Sequence, residues 1–180
     1  MNTPDTELVI AKTKKWIIDV VVGCNFCPFA GKEVKRDSIH YEVLHNASQE
    51  LVLRSVMHSF QKLDDNKNIE TSLLILPGSF ESFDDYLQLL DMTNSLLEEQ
   101  DYEGIYQIAS FHPLYLFAGS NNEDPSNYTN RSPYPMLHFL REGSVSNAVD
   151  SFPDIDEIPN RNIVFTQEKG LQFMIQLLGN

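Results

Sequence analysis

Thr71-Ser72-Leu73-Leu74-Ile75-Leu76-Pro77-Gly78 is the stretch whose reading decides the fold. Leu73 to Leu76 run apolar without interruption, led in by Thr71 and stopped by Pro77-Gly78. A strand with no polar alternation is buried on both faces, and such a strand needs helices on either side. The flanks supply them. Upstream, Ser48 can cap a helix on which Val52, Val56, Phe60 and Leu63 recur at helical spacing. Downstream, Ser82 with Asp85 resembles a capping box, opening a helix that buries Tyr86, Leu89, Leu90, Leu96 and Leu97. The acidic pair Glu98-Glu99 opposes the dipole at that helix's end, so fraying is expected there.

Further out, Ile39–His45 reads as a short strand, and Ile105–Phe111, after Gly104, as another. Residues 5–22 read as an amphipathic helix carrying Trp16, with Ile10, Ile17, Val21 and Cys24 on one face. Residues 23–38 read as a loop broken by Gly23, Pro28 and Gly31. Ser132 is a good N-cap and Pro133 a good first residue for a fourth main helix, which Gly143 closes. A helical turn from Ser144, an irregular piece over 152–162 and a final helix lined by Leu171, Met174, Ile175 and Leu178 complete the chain. The expectation is an α/β fold, one compact domain over residues 1–180. It has a small, mostly parallel sheet of three or four strands flanked by helices, and a long ordered loop before the fourth main helix. Ligands of open α/β sheets bind beyond the carboxyl ends of the strands. Here those ends are His45, Pro77-Gly78 and His112-Pro113.

Composition narrows the function classes. At 180 residues and net charge −13, with only 13 Lys and Arg, the chain carries no basic stripe for nucleic acid or an anionic membrane. Two cysteines are too few for a disulfide framework, which points to a reducing, cytoplasmic setting. Val21-Val22-Gly23-Cys24 imitates a lipidation site, but Asp19 interrupts the apolar run and Asp5 and Glu7 sit where basic residues belong. Nothing approaches the ~20 apolar residues of a membrane-spanning helix. A glycine-rich phosphate loop, a G-x-S-x-G elbow, an H-E-x-x-H helix and a dinucleotide fingerprint are all missing from the sequence. No motif indicates a cofactor or an oligomeric state.

The segment Phe111–Glu142 stands out, with about twenty residues lacking any apolar period. It holds six of the nineteen aromatics, and only two acids precede Arg131, so it is expected to be ordered. His112, at a strand end, reads as a general base or as a histidine fixing the loop through backbone hydrogen bonds. Arg131 with Ser132 at a helix N-terminus reads as an anion site, walled by Asn127, Tyr128 and Tyr134. Alternatively Arg131 pairs with Glu123 or Asp124. His138 and Arg141, three apart, share a face if that region is helical.

Cys24-Asn25-Phe26-Cys27 has redox-pair spacing but follows a helix instead of opening one, where the dipole disfavours a thiolate. Cys27 alone reads as a nucleophile or as a small buried hydrophobe. Widely spaced His45, His112, His138 and Cys27 leave a metal reading open, and no ligand spacing supports one.

Cys27-Pro28-Phe29-Ala30, Ser110-Phe111-His112-Pro113, Phe117-Ala118-Gly119 and the string Asn127-Tyr128-Thr129-Asn130-Arg131-Ser132-Pro133-Tyr134-Pro135 resemble the signature of a bacterial family. It is the one catalogued as domain of unknown function 1415. The resemblance covers roughly residues 10 to 178 and implies a single bacterial, cytoplasmic domain without lending a mechanism. Cys24 stands where the pattern leads one to expect an apolar residue, which weighs against chemistry needing both cysteines. Three functions follow as expectations. One is an enzyme on a small anionic molecule, with Cys27 and His112 as catalytic groups and Arg131, Ser132, Asn127, Tyr128, Tyr134, His138 and Arg141 binding. The second is a metal-binding protein, and the third a non-catalytic binding or scaffold domain.

Overall fold

A computed structural model describes residues 5–151 and 157–179. Asp5 opens α1 (Thr6–Trp16) by accepting the Glu7 N–H at 3.1 Å, and the helix continues as a π-helical segment, Ile17–Val22. After α2 (Ala30–Arg36) and β1 (Ile39–Val43), Ser48 caps α3 (Gln49–Asp65) through the Leu51 N–H. Then come β2 (Thr71–Ile75) and α4 (Phe83–Glu99), the latter capped by Ser82 through the Asp85 N–H. Both caps are the serines the sequence pointed to. β3 (Tyr106–Phe111), a 3-10 turn at Pro125–Thr129 and β4 (Met136–Arg141) lead to α5 (Glu142–Ser151), α6 (Ile158–Lys169) and α7 (Leu171–Leu178).

The sheet order is β1-β2-β4-β3. β1 and β2 run parallel, whereas β4 is antiparallel to both β2 and β3. β1, β2 and β3 therefore share one direction, and their carboxyl ends lie at one edge with the amino end of β4. The fold is α/β as expected, but the sheet is mixed, not mostly parallel.

Every residue of β2 is buried, as its apolar run implies. Leu74 and Leu76 join Leu137 and Phe139 of β4 in a core against α3 and α4. Leu73, Ile75 and Met136 face the other way, toward Trp16, Ile17 and Val20, Tyr128 and Met174 of α7. The two-residue period of strands thus sorts the apolar side chains into two helical layers. No helix among the described residues is long and apolar enough to cross a membrane.

The fourth main helix expected from Ser132 is absent. Residues 136–141 are a central strand, and α5 begins at Glu142, just before the glycine expected to close that helix. The physical reason lies in two prolines. Ser132 precedes Pro133 and Tyr134 precedes Pro135, and a residue before proline is driven out of the α region into extended backbone. Ser132 accordingly caps nothing. Its hydroxyl donates to the Tyr134 carbonyl at 2.7 Å. Extended backbone at 132–135 feeds directly into β4, and the Pro135 carbonyl already accepts the Leu76 N–H at 2.9 Å. The irregular piece expected over 152–162 is helical from Ile158, and its residues 152–156 lie outside the described residues.

Candidate functional site

The loops leaving the strand ends are laced to one another. Leu44 N–H donates to the Ile75 carbonyl (2.9 Å), Asn46 N–H to the Pro77 carbonyl (3.2 Å) and Ala47 N–H to Ser79 Oγ (2.7 Å). Above this floor opens a cleft of about 1060 Å³. The segment after β1 contributes Asn46, Ala47 and Gln49, and that after β2 contributes Pro77, Gly78 and Phe80 to Ser82. Asp85 and Gln88 come from α4, Pro113 and Leu114 from the segment after β3, and Pro133 to Pro135 from that before β4. The amino ends of α3 and α4 both open onto it. Gly78 has φ +73°, and a Cβ there would stand 2.5 Å from Asn46 Oδ1. The position therefore suits glycine on both counts.

One wall is strained. Phe80 has φ +52°, a left-handed conformation that costs a bulky residue of order 1–3 kcal/mol. Its carbonyl accepts a hydrogen bond from His112 Nε2 at 2.9 Å, while His112 Nδ1 accepts the Leu114 N–H at 3.0 Å. These two bonds settle the tautomer, because only the neutral ring protonated at Nε2 can donate there and accept at Nδ1. The ring is fully buried, 5.2 Å from Phe83 and 5.0 Å from Tyr86 between centroids. Burial lowers its pKa, and the Phe80 bond raises it by a smaller amount. His112 thus holds one cleft wall to another from behind. Tyr86 works beside it, its hydroxyl donating to the Met136 carbonyl (2.7 Å) and accepting the Phe111 N–H (3.1 Å).

The signature string turns inward. Asn127 is fully buried, with Oδ1 accepting from Phe117 N–H and Ser120 Oγ (both 2.9 Å) and Nδ2 donating to the Asn121 carbonyl (2.8 Å). Arg131 is 9% exposed. Its Nε donates to the Tyr115 carbonyl and its Nη2 to the Asn122 carbonyl, each at 3.2 Å, and its guanidinium lies 4.6 Å from the Tyr128 ring centre. The Arg131 carbonyl accepts the Trp16 indole N–H at 3.0 Å, tying the loop to α1. Among the described residues, Arg131 forms no ion pair with Glu123 or Asp124. Of the expected binding residues, Tyr134 alone lines the cleft, and burial raises its hydroxyl pKa.

Cys27 and His112 are not brought together. The Cys24–Cys27 loop packs through Phe26 and Cys24 into the layer of α1 and α7, whereas His112 packs against α4. α6 clamps that loop, with Arg161 Nη2 donating to the Asn25 carbonyl (2.5 Å) and Asn162 Nδ2 to the Phe26 carbonyl (2.9 Å). Burial raises the Cys24 thiol pKa, against a smaller opposing pull from Lys169.

His138 and Arg141 lie on a strand, where an offset of three puts side chains on opposite faces. Arg141 reaches the Leu63 carbonyl in the last turn of α3 and the Ile69 carbonyl in the connection to β2. The Thr71 hydroxyl donates to the Phe139 carbonyl (2.6 Å), so it accepts from the His138 Nε2–H (2.5 Å). Desolvation pushes its pKa down to about 4. An imidazole that folding keeps neutral stabilises fully above the unfolded value near 6.5, and loses that contribution as pH falls toward 4. Urea melts are expected to show a loss of about 2 kcal/mol from pH 7 to pH 5. His138→Gln should flatten that slope, and a slope unchanged in the variant would refute the assignment.

Among the described residues, no three His, Cys, Asp or Glu side chains are grouped to hold a metal. His45 instead shares a 2.9 Å hydrogen bond with Thr6 Oγ1. Sequence reasoning missed Asn46, Phe80, Glu81, Asp85 and Gln88. The capping serines Ser48 and Ser82 held a clue to them, since both mark helix N-termini that follow a strand end directly. No curated protein and no solved structure matches the chain. Residues 8–176, including the inward-turned string and every segment that lines the cleft, match the model of Protein of unknown function (DUF1415), and the chain belongs to that family.

Proposed function

We propose that this domain binds a small molecule in the cleft at the carboxyl edge of its sheet. One observation carries the reading: segments from all four strands and the N-termini of α3 and α4 converge on that single cleft. Open α/β sheets place their ligands at this edge, and a volume near 1060 Å³ suits a metabolite-sized occupant. The wall at Phe80 is formed in advance, since His112 holds its strained backbone without help from a ligand.

The alternative of an enzyme on a small anion through Cys27, His112 and Arg131 draws less support. Both ring nitrogens of His112, and Nε and Nη2 of Arg131, are spent on backbone carbonyls and an amide, and the helix N-terminus expected at Ser132 is a strand approach. The long loop reads better as the brace that positions β4 and the cleft floor. Native mass spectrometry of the purified full chain, followed by amide-resolved NMR titration with any co-purifying molecule, tests the cleft reading. Shifts centred on Gly78, Phe80 and Leu114 are expected. Shifts centred on Cys27 or Arg131 would overturn it in favour of the alternative.

A further inference from the structure

Resting on the cleft reading above, we infer that the occupant is an organic cation: an amine or guanidinium on a short apolar body. Apart from the Tyr134 phenol, the ionisable side chains lining the cleft are Glu81 and Asp85, both exposed. Among the described residues no Lys, Arg or His lines it, and neither carboxylate is held in an ion pair. The nearby loop cation, Arg131, is buried against carbonyls and Tyr128 instead of offsetting them.

The helix N-termini argue the other way, and magnitude decides. Each offers about half a positive charge. Two full carboxylate charges outweigh them, and Asp84 and Glu50 add further acids in the same first turns. The whole chain, at net −13, deepens the same field. An anion entering here meets like charge with no side-chain counterion.

The rest of the lining suits an apolar body. Phe80, Tyr134 and Leu114 line the cleft with Pro77, Pro113 and Pro133. Aromatic rings beside a carboxylate pair hold an ammonium by cation–π attraction as well as by charge. Asn46, Gln49 and Gln88 add amide carbonyls that accept hydrogen bonds from N–H groups.

Three probes that share a phenyl body separate the terms: phenethylammonium, 2-phenylethanol and 3-phenylpropanoate. Each is titrated into the full chain while backbone amide shifts are followed, at low and high salt. Phenethylammonium is expected to bind at the cleft about tenfold more tightly than the alcohol, with the preference shrinking as salt rises. The carboxylate is expected to bind more weakly than either. Glu81→Gln with Asp85→Asn should erase the preference and leave the alcohol's affinity unchanged. Both side chains are exposed, and unaltered melting of the double variant checks its fold. Equal or tighter binding of the alcohol or the carboxylate at the cleft overturns the cation and leaves the cleft reading standing. Failure of all three to move cleft resonances overturns both.

Discussion

His112→Ala is expected to lower stability by about 3 kcal/mol, the largest loss of any single polar change near the cleft. The ring satisfies two backbone groups at once, the Phe80 carbonyl and the Leu114 N–H. Truncation leaves both unpaired and opens a void between Phe83 and Tyr86. For a chain of 180 residues that loss corresponds to a melting-temperature drop of roughly 6–12 °C. Phe80 should then relax from φ +52°, since the strain persists only while its surroundings enforce it. Amide shifts at Phe80 and Gly78 report that relaxation. His112→Asn, which can donate or accept at one position but cannot span both, is expected to recover part of the loss. A catalytic base would behave differently, because its removal abolishes turnover while leaving the melting curve in place. An unaltered melting temperature in His112→Ala would sink the wall-holding role.

Arg131→Ala should cost nearly as much, about 3 kcal/mol. Two charge-assisted bonds to the Tyr115 and Asn122 carbonyls vanish together with the contact over Tyr128. Arg131→Lys keeps the charge and loses the fork, so it should recover less than half of the loss. The same pair of variants separates brace from anion site. If Arg131 gripped a phosphate or carboxylate, inorganic phosphate would raise the melting temperature of the unmodified protein and not that of the variant. A brace predicts equal response to phosphate in both. Thermal melts with and without phosphate decide between them.

The long loop shows how the same residues can make order legible in a sequence while leaving their hydrogen-bond partners hidden. Its aromatic content and low charge pointed to order, and Asn127, Tyr128 and Arg131 are indeed buried. Their polarity suggested a ligand, yet their partners are carbonyls and amides of the loop itself. A loop of this length must satisfy its own backbone groups wherever it is buried, and side-chain amides and a guanidinium do that work. Which polar side chains turn inward depends on packing between segments far apart in sequence, such as the Trp16 indole reaching the Arg131 carbonyl.

The strand at β4, where a helix is expected, has a local signal in the sequence. Ser132-Pro133 matches a helix start, but Ser132 and Tyr134 each precede a proline and are biased toward extended backbone. Met136–Arg141 is also too short for apolar period to separate helix from strand. Direction could not be settled locally at all. β4 enters at the edge where β3 ended, so it must run back antiparallel between two strands already sharing one direction.

By itself, then, the sequence determined the features whose energetics are local. These are the doubly buried β2 from its apolar run, the starts of α3 and α4 from their capping serines, and the order of the loop from its composition. Tertiary structure alone decided the antiparallel insertion of β4, the inward turn of Asn127, His112 and Arg131, and the gathering of Asn46, Phe80, Glu81 and Asp85 around one cleft. Propensity and period act within a few residues, whereas hydrogen-bond partners and cleft walls come from segments joined only when the sheet closes.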